Sequence, residues 1–259
     1  MTENNGFQTE LKDELKAERE ELIKMPLLPF GTPGFLGSGY SRHIVGITKN
    51  LSIKRLYSAY MQGIFPWFEE DEGEPVIWYS PSPRFCLPLE ELHVPSSLKK
   101  FLKHTPYTYT MDRDFSAVIN GCRNMNRKGQ NGTWIGRMII EAYTKFHELG
   151  FAHSVEVWHE GKLAGGLYGV LIGSVFCGES MFTIESNSAK SAFVIFAKAF
   201  ERCGGKLIDS QVYTENIARY GAKNISREAF LRLESNYLKT ELTKNIHDGF
   251  NEILEELKI

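Results

Sequence analysis

Residues 152–182, AHSVEVWHEGKLAGGLYGVLIGSVFCGESMF, decide the fold. Ala152–Trp158 alternates between apolar and polar side chains, as a half-buried strand does. Leu163–Ile172 and Val175–Phe182 have the composition of two further strands, and HEGK at 159–162 is typical of a turn. The sequence therefore predicts three consecutive strands.

A helix and a fourth strand follow this stretch. Asn187 or Ser188 is placed to cap the helix, whose apolar residues recur on one face until Gly204 and Gly205 end it. Lys206–Val212 is then predicted as a short buried strand. The order strand–strand–strand–helix–strand is typical of an α+β fold with a mostly antiparallel sheet and packed helices. It resembles the core of GNAT-type acyltransferases, although a shared fold does not by itself establish a function.

The composition is that of a globular protein of 259 residues, with 42% hydrophobic residues and a net charge of −2. Because this charge is close to zero, any nucleic-acid contact must come from a local cluster of Lys and Arg. The four cysteines form no CxxC pair and no zinc spacing with histidine, so we expect free thiols and no metal site. The polar N-terminus and the absence of a membrane-length apolar run predict a cytoplasmic protein.

Three polar residues interrupt the apolar strands. Glu179 lies within VFCGESMF and Asp209 within KLIDSQV, and a buried carboxylate needs a partner. Asp209 and Gln211 are two residues apart, so on a strand both would point to one face. Together with Glu179 they could form one polar cluster in an apolar pocket. Spacing alone also allows a satisfied buried polar network or an edge strand that faces water.

Four segments carry a family resemblance: AYMQGIFPWF at 59–68, GTWI at 132–135, GESMF at 178–182 and LIDSQ at 207–211. With AHSVEVW, GGLYGV and the Gly221-Ala222 pair, they resemble the leucyl/phenylalanyl-tRNA–protein transferase family over roughly residues 43–233. The resemblance implies transfer of Leu or Phe from aminoacyl-tRNA to proteins that begin with Arg or Lys, which marks them for degradation. It leaves Met open as a further donor, and it implies a monomer without a cofactor.

The resemblance also implies roles for individual residues. Asp209 and Gln211 match the family's catalytic pair, and Glu179 supports them or orients the acceptor amine. The aromatic residues associated with the 3′-terminal adenosine and the acceptor site are Tyr60, Trp67, Trp134 and Tyr143. The pocket for the aminoacyl side chain is matched by Leu167, Met181, Phe193, Phe196 and Ile208. Because Ile208 faces away from Asp209 on an ideal strand, the site requires a bulge or twist.

Two positions depart from the family pattern. ITKNL at residues 47–51 stands where the family usually has Gly-Gly-Asp-Leu before its first helix. Glu215 and Asn216 stand where the family often has Asp-His, which removes a possible histidine acid or base. A mechanism that depends on that histidine is weakened, whereas one based on Asp209 and Gln211 is not.

The best candidate for a tRNA contact is HVPSSLKKFLKH at residues 93–104. As a helix, it would place Lys99, Lys100, Lys103 and His104 near each other. Without the family resemblance, a plain amphipathic surface helix explains this segment equally well.

The chain is expected to have three parts. Residues 8–25 are rich in helix formers with a thin apolar stripe, which favours a solvated or loosely docked helix over a partner-binding one. We predict a charged helical extension over 1–27, a small N-terminal domain over 28–83 and a GNAT-like catalytic domain over 84–259.

Two alternative functions remain to be weighed. An acyl-CoA-dependent N-acyltransferase of the GNAT type would carry an Arg/Gln-x-x-Gly-x-Gly/Ala loop for pyrophosphate, and no segment matches that pattern. A non-catalytic module that binds RNA or degrons would not need Asp209, Gln211 and Glu179 together.

Overall fold

The three strands predicted over residues 152–182 form the middle of a seven-stranded sheet in the computed structural model, which describes residues 2–37, 41–67, 75–125 and 135–259. In chain order the elements are α1 (Thr2–Lys24), β1 (Ile44–Thr48), α2 (Ile53–Tyr60), β2 (Phe65–Pro66), β3 (Val76–Tyr79), β4 (Arg84–Pro88), a 3-10 turn (Leu89–Glu91), α3 (Ser96–Leu102), β5 (Thr108–Met111), α4 (Phe115–Arg123), α5 (Arg137–Glu148), β6 (Ala152–His159), β7 (Lys162–Ile172), β8 (Val175–Thr183), α6 (Ser188–Arg202), β9 (Leu207–Asp209), α7 (Glu215–Ala218), β10 (Lys223–Ile225), α8 (Arg227–Tyr237) and α9 (Ile246–Leu257).

The large sheet has the strand order β10-β4-β9-β8-β7-β6-β5. Its neighbouring strands are antiparallel except for β8 and β9, which run parallel and are connected through α6. The predicted α+β class with a mostly antiparallel sheet and packed helices is therefore confirmed. The small sheet, in the order β1-β3-β2, is formed by residues before β4.

Alternation along the central strands produces a hydrophobic core on each face of the large sheet. Tyr168 of β7 and Cys177 of β8 belong to the first core, whereas their neighbours Leu167 and Phe176 belong to the second. The first core also contains residues of α2, α4, α5 and the small sheet, and the second contains residues of α3, α6 and α9. The small sheet packs into the same core as the large sheet, so the core does not mark the predicted domain boundary near residue 84. That boundary stays a prediction.

A β-bulge in β8 changes the direction of one side chain. Gly169 pairs with Gly178 but Tyr168 pairs with Ser180, so Glu179 is the extra residue. The close approach requires glycine at 169, since a Cβ there would lie 2.3 Å from the carbonyl oxygen of Cys177. The bulge turns Glu179 toward the first core.

Strand β9 is shorter than the sequence predicts, and this is a correction. The strand ends at Asp209 rather than at Val212, and Gln211 has a left-handed backbone with φ of 64°. The backbone N–H of Gln211 donates to Oδ1 of Asp209 at 2.9 Å, which holds a local turn. Asp209 and Gln211 therefore do not share one face of a strand.

Helix α1 confirms the predicted N-terminal helix. Its contact with the rest of the chain is narrow: Leu22 is buried, whereas Leu11 and Ile23 are exposed. The guanidinium of Arg19 lies 3.9 Å from the ring centroid of Phe151. Within the described part of the chain, no helix is long and apolar enough to cross a membrane.

Candidate active site

A cavity of about 610 Å³ opens where the parallel strands β8 and β9 lie side by side. Large apolar side chains from four elements and from the segment around β2 form most of its wall: Trp67, Leu167, Phe176, Met181, Phe193 and Ile208. Glu179, Ser210 and Gln211 bring polar groups into the same wall. The cavity can therefore hold an apolar side chain and present hydrogen-bonding groups beside it.

The carboxylate of Glu179 is held by three side chains. Oε1 accepts hydrogen bonds from the hydroxyl of Tyr60 at 2.7 Å and from the amide nitrogen of Gln211 at 2.8 Å. Oε2 accepts from the hydroxyl of Tyr143 at 3.2 Å, and the two tyrosine hydroxyls lie 2.5 Å apart. Each of these donors is neutral. With its amide nitrogen occupied, Gln211 has its carbonyl oxygen available to accept from a ligand.

Burial raises the pKa of Glu179 to about 7. The hydrogen bonds from Tyr60, Tyr143 and Gln211 oppose this rise, and the nearby charge of Asp209 adds to it. Burial also holds the pKa values of Tyr60 and Tyr143 well above their usual range, so both remain protonated donors. Glu179 can thus exchange a proton near neutral pH, as a general base or acid must.

Asp209 is in a different environment although it lies on the neighbouring strand. It is fully buried, and its two oxygens accept hydrogen bonds from Nε and Nη2 of Arg84 at 2.8 and 2.5 Å. The guanidinium of Arg84 lies between two rings, 4.8 Å from the centroid of Phe65 and 4.5 Å from that of Phe230. Asp209 does not line the cavity.

Arg84 is a residue that the sequence reasoning missed. It lies at the start of β4 and is 2% exposed, so its charge requires a partner in the interior. A signal was present, because an arginine that opens the apolar run FCL suggests an oppositely charged residue in another buried strand. The partner lies 125 residues away and could not be identified from spacing.

The structure brings together most of the predicted substrate-binding residues. Those that line the cavity are Trp67, Leu167, Met181, Phe193 and Ile208. Tyr60 and Tyr143 lie beneath it and contact Glu179 rather than open space. Phe196 does not line the cavity: it is fully buried, with its ring centroid 4.2 Å from that of Phe176, and its part in substrate binding stays a prediction. Trp134 lies outside the described residues.

Ile208 and Asp209 do face opposite sides of β9, since Ile208 lines the cavity and belongs to the second core. No bulge in β9 is needed to complete the polar cluster. The bulge at Glu179 and the turn at Gln211 bring those two side chains together instead.

The predicted tRNA segment forms α3, which is shorter than residues 93–104. Leu98 and Leu102 are buried. The four side chains proposed to contact tRNA are exposed: Lys99, Lys100, Lys103 and His104. The segment is thus an amphipathic surface helix, and its role in tRNA binding stays a prediction.

A second cavity of about 420 Å³ adjoins the first. The two share Phe65, Trp67, Val212 and Tyr213, and the second adds the polar side chains of His43 and Asn224. All four cysteines lie in the described part of the chain, where they are buried and form no disulfide. Cys86 and Cys177 are the residues that pair with Asp209 on either side, in β4 and β8.

Comparison with known proteins gives consistent matches. Residues 86–235 match the family model for leucyl/phenylalanyl-tRNA protein transferase, and residues 49–82 match the model for the N-terminal domain of those proteins. The leucyl/phenylalanyl-tRNA–protein transferase of Myxococcus xanthus is 48% identical over 188 residues, which is 73% of this chain and 80% of the relative. That of Shigella sonnei is 47% identical over 195 residues, which is 75% of this chain and 80% of the relative.

Among solved structures, L-PGS from Bacillus licheniformis aligns with a TM-score of 0.38 and 12% identity. The alignment covers 65% of this chain and 56% of that one. A likeness this distant carries no argument about fold or function.

Proposed function

Because the chain belongs to the leucyl/phenylalanyl-tRNA protein transferase family, we propose that it transfers leucine or phenylalanine from aminoacyl-tRNA to the N-terminal amine of a protein. One observation carries the proposal: the cavity combines a wall of large apolar side chains with the Glu179–Gln211 pair. The apolar wall fits the side chain of the donor amino acid. The polar pair fits the amine of the acceptor.

The reaction forms a peptide bond and breaks an ester. The acceptor nitrogen attacks the carbonyl carbon of the aminoacyl ester, the nitrogen loses a proton, and the terminal ribose oxygen leaves and takes one up. A peptide α-amine has a pKa of about 7.7–8.0, so a fraction of it is neutral at neutral pH. The site must chiefly hold the amine against the ester, which contributes up to about 7–11 kcal/mol in favourable cases.

Glu179 and Gln211 are the residues proposed to contact the amine. The carbonyl oxygen of Gln211 accepts an N–H of the amine and orients it, and the carboxylate of Glu179 takes the proton that the nitrogen loses. The pKa of Glu179, raised by burial to about 7, suits a proton acceptor for an amine near neutral pH.

Asp209 is proposed to act through Gln211 as a positioning residue. Its Oδ1 accepts the backbone N–H of Gln211, and Arg84 fixes the carboxylate from the other side. This arrangement supports the left-handed backbone at Gln211 that aims its amide at Glu179. The proposal thereby modifies the expectation that Asp209 and Gln211 act side by side.

Donor selection is proposed to rest on the apolar wall. Burial of each CH₂ group contributes about 0.8 kcal/mol, so Leu and Phe gain more than small donors. Met is proposed as a further donor because it is apolar and unbranched at Cβ. Discrimination by one methylene should amount to about 1–3 kcal/mol.

Acceptors that begin with Arg or Lys are proposed from the family role, and Glu179 supplies negative charge near the amine. The same role implies that the modified proteins are marked for degradation. We also propose that the protein acts as a monomer in the cytoplasm and that its large sheet is a GNAT-like core. The parallel β8–β9 pair joined by α6 supports the GNAT-like assignment.

The proposed tRNA contact is the exposed basic side of α3. Substitution of Lys99, Lys100 and Lys103 together by Ala should weaken tRNA binding and lower its salt dependence. Each lysine that neutralises a phosphate releases counterions from the RNA, so fewer are released when the lysines are absent. If the affinity for tRNA and its salt dependence equal those of the unmodified protein, the proposed contact at α3 is contradicted.

The decisive experiment is incubation with leucyl-tRNA and a peptide that begins with Arg. Mass spectrometry should show a gain of one leucyl residue at the peptide N-terminus. An acetyl-CoA arm tests the acyl-CoA alternative, and a peptide that begins with Ala tests acceptor choice. Equal transfer to both peptides would contradict the acceptor specificity, and transfer from acetyl-CoA alone would contradict the proposed donor. Tight tRNA binding without transfer from either donor would favour a binding module.

A further inference from the structure

Two histidine side chains from distant parts of the chain meet at Asp112, beyond the end of β5 and outside the active-site cavity. Oδ2 of Asp112 lies 2.6 Å from Nδ1 of His153 on β6 and 3.0 Å from Nε2 of His247 on α9. The three potential ligand atoms all lie within 4.8 Å of one another.

The rest of the fold holds this carboxylate in a fixed orientation. Oδ1 of Asp112 accepts the backbone N–H of Ser154 at 2.7 Å, and the backbone N–H of Asp112 donates to the carbonyl oxygen of Ser154 at 3.0 Å. Asp112 has a left-handed backbone with φ of 57°, a conformation that Asp adopts more readily than most residues. As a result, Oδ2 is the oxygen that faces the two imidazole rings.

The three side chains differ in their exposure to solvent. The side chains of Asp112 and His153 are 11% and 12% exposed, whereas that of His247 is 42% exposed. The first two are thus held in place by packing. His247, near the start of α9, can adjust its ring to an incoming ion.

Two imidazole nitrogens and one carboxylate oxygen form a donor set for Zn²⁺ or a similar divalent transition-metal ion, whereas Ca²⁺ and Mg²⁺ prefer oxygen alone. Tetrahedral bonds of about 2.0–2.1 Å imply that ligand atoms lie roughly 3.3 Å apart. The two nitrogen–oxygen separations would need to widen by less than about 1 Å to reach that value. The larger change falls on the pair of Asp112 and His153, and rotation of the more exposed His247 ring can provide the smaller one.

We propose that Asp112, His153 and His247 bind one Zn²⁺ or chemically similar ion, with water as the fourth ligand. The ion links the first turn of α9 to the edge of the large sheet at β5 and β6. This site is independent of the transfer reaction. Sequence spacing does not predict it, because the ligands come from three separate parts of the chain.

The test is a titration of the full-length chain with Zn²⁺ followed by isothermal calorimetry. We expect one ion per chain. His247→Gln and His153→Gln should each bind it at least about tenfold more weakly, since loss of even an outer partner of a metal ligand costs 10–100-fold. The thermal midpoint should rise with Zn²⁺ in the unmodified protein and rise less in both variants.

The matched control is His159→Gln. His159 pairs with Glu185 through Nδ1 at 2.7 Å, so it is also a histidine–carboxylate pair, and its loss should leave Zn²⁺ affinity unchanged. Co²⁺ as a second probe distinguishes nitrogen and oxygen ligands from cysteine, because thiolate ligands add a strong charge-transfer absorption. The proposal is overturned by binding that does not saturate at one ion per chain, by unchanged affinity in either variant, or by a thiolate spectrum.

Discussion

Asp209 and Glu179 are buried carboxylates on neighbouring parallel strands, yet their surroundings differ in one respect. Asp209 is paired with the guanidinium of Arg84, whereas the hydrogen bonds that reach Glu179 from the described residues come from neutral donors. A charged partner keeps a buried carboxylate ionised and fixed. Burial raises the pKa of Glu179 to about 7 at the wall of the cavity, and its neutral donors offset this rise only in part. Asp209 is therefore suited to hold the structure in place, whereas Glu179 is suited to transfer a proton.

The largest expected effect is on the rate of transfer. Glu179→Gln should lower the rate by about 10²–10⁴-fold, the usual contribution of a general base, while the fold persists because the amide can keep hydrogen-bonding neighbours. Single-turnover transfer from leucyl-tRNA measures this loss. Glu156→Gln is the control, since Glu156 is a fully buried glutamate that does not line the cavity. A near-normal rate in Glu179→Gln would show that the two carboxylates do not differ as proposed.

The second effect is on stability. Asp209→Asn leaves the charge of Arg84 buried without its partner, so the free energy of unfolding should fall by about 3–5 kcal/mol in denaturant titrations. The double variant Arg84→Met with Asp209→Leu should recover most of that loss. Its transfer rate should stay low, because the carboxylate that accepts the Gln211 N–H is gone. A transfer rate close to that of the unmodified protein in the double variant would contradict the proposal that Asp209 positions Gln211.

The third effect is the pH dependence of stability. The pKa of Glu179 is raised by burial from 4.5 to about 7, so the folded state holds this proton more tightly than the unfolded state does. The resulting stabilisation is fully present below about pH 4.5 and is lost as the pH rises through 7, with a total of about 3 kcal/mol. The unmodified protein should therefore lose stability relative to Glu179→Gln across this range. Parallel pH curves for the two proteins would contradict the raised pKa.

The smallest effect tests one hydrogen bond to Glu179. The hydroxyl of Tyr60 donates to Oε1 of Glu179 and thereby lowers the pKa of that carboxyl group. Tyr60→Phe removes this hydroxyl, so the pKa of Glu179 should rise. Loss of a bond worth about 1 kcal/mol should move the rising limb of the rate–pH profile upward by up to about one pH unit. Tyr57→Phe is the matched control, because Tyr57 lies on the same helix and packs against Phe151 instead. A limb that moves equally in both variants would point to a general loss of packing.

The sequence predicts the parts of this comparison that depend on local patterns. Alternation in residues 152–158 and the composition of the two segments after it predict three strands, and the apolar face that ends at Gly204 predicts α6. Glu179 and Gln211 stand out because polar residues interrupt apolar strands.

Other features depend on contacts between residues that are distant along the chain, or on how deeply a side chain is buried, and the sequence does not predict them. The end of β9 is set by the hydrogen bond from Gln211 to Asp209, and strand propensity alone would extend the strand to Val212. The ion pair of Asp209 requires Arg84 from the adjacent strand β4, which lies 125 residues away along the chain. Phe193 and Phe196 are both apolar residues of α6, yet Phe193 lines the cavity whereas Phe196 packs against Phe176 and does not.

The thiols of Cys86 and Cys177, beside Asp209 of β9, can report local opening of the structure through their rate of alkylation. Burial raises the pKa of Cys86 to about 12 and that of Cys177 well above its usual range, so a reagent that attacks thiolates meets almost none in the closed protein. Both residues pair with Asp209, one on each side of β9. Alkylation of either thiol would therefore require a local opening of the core around Asp209, and its rate would report how often that opening occurs.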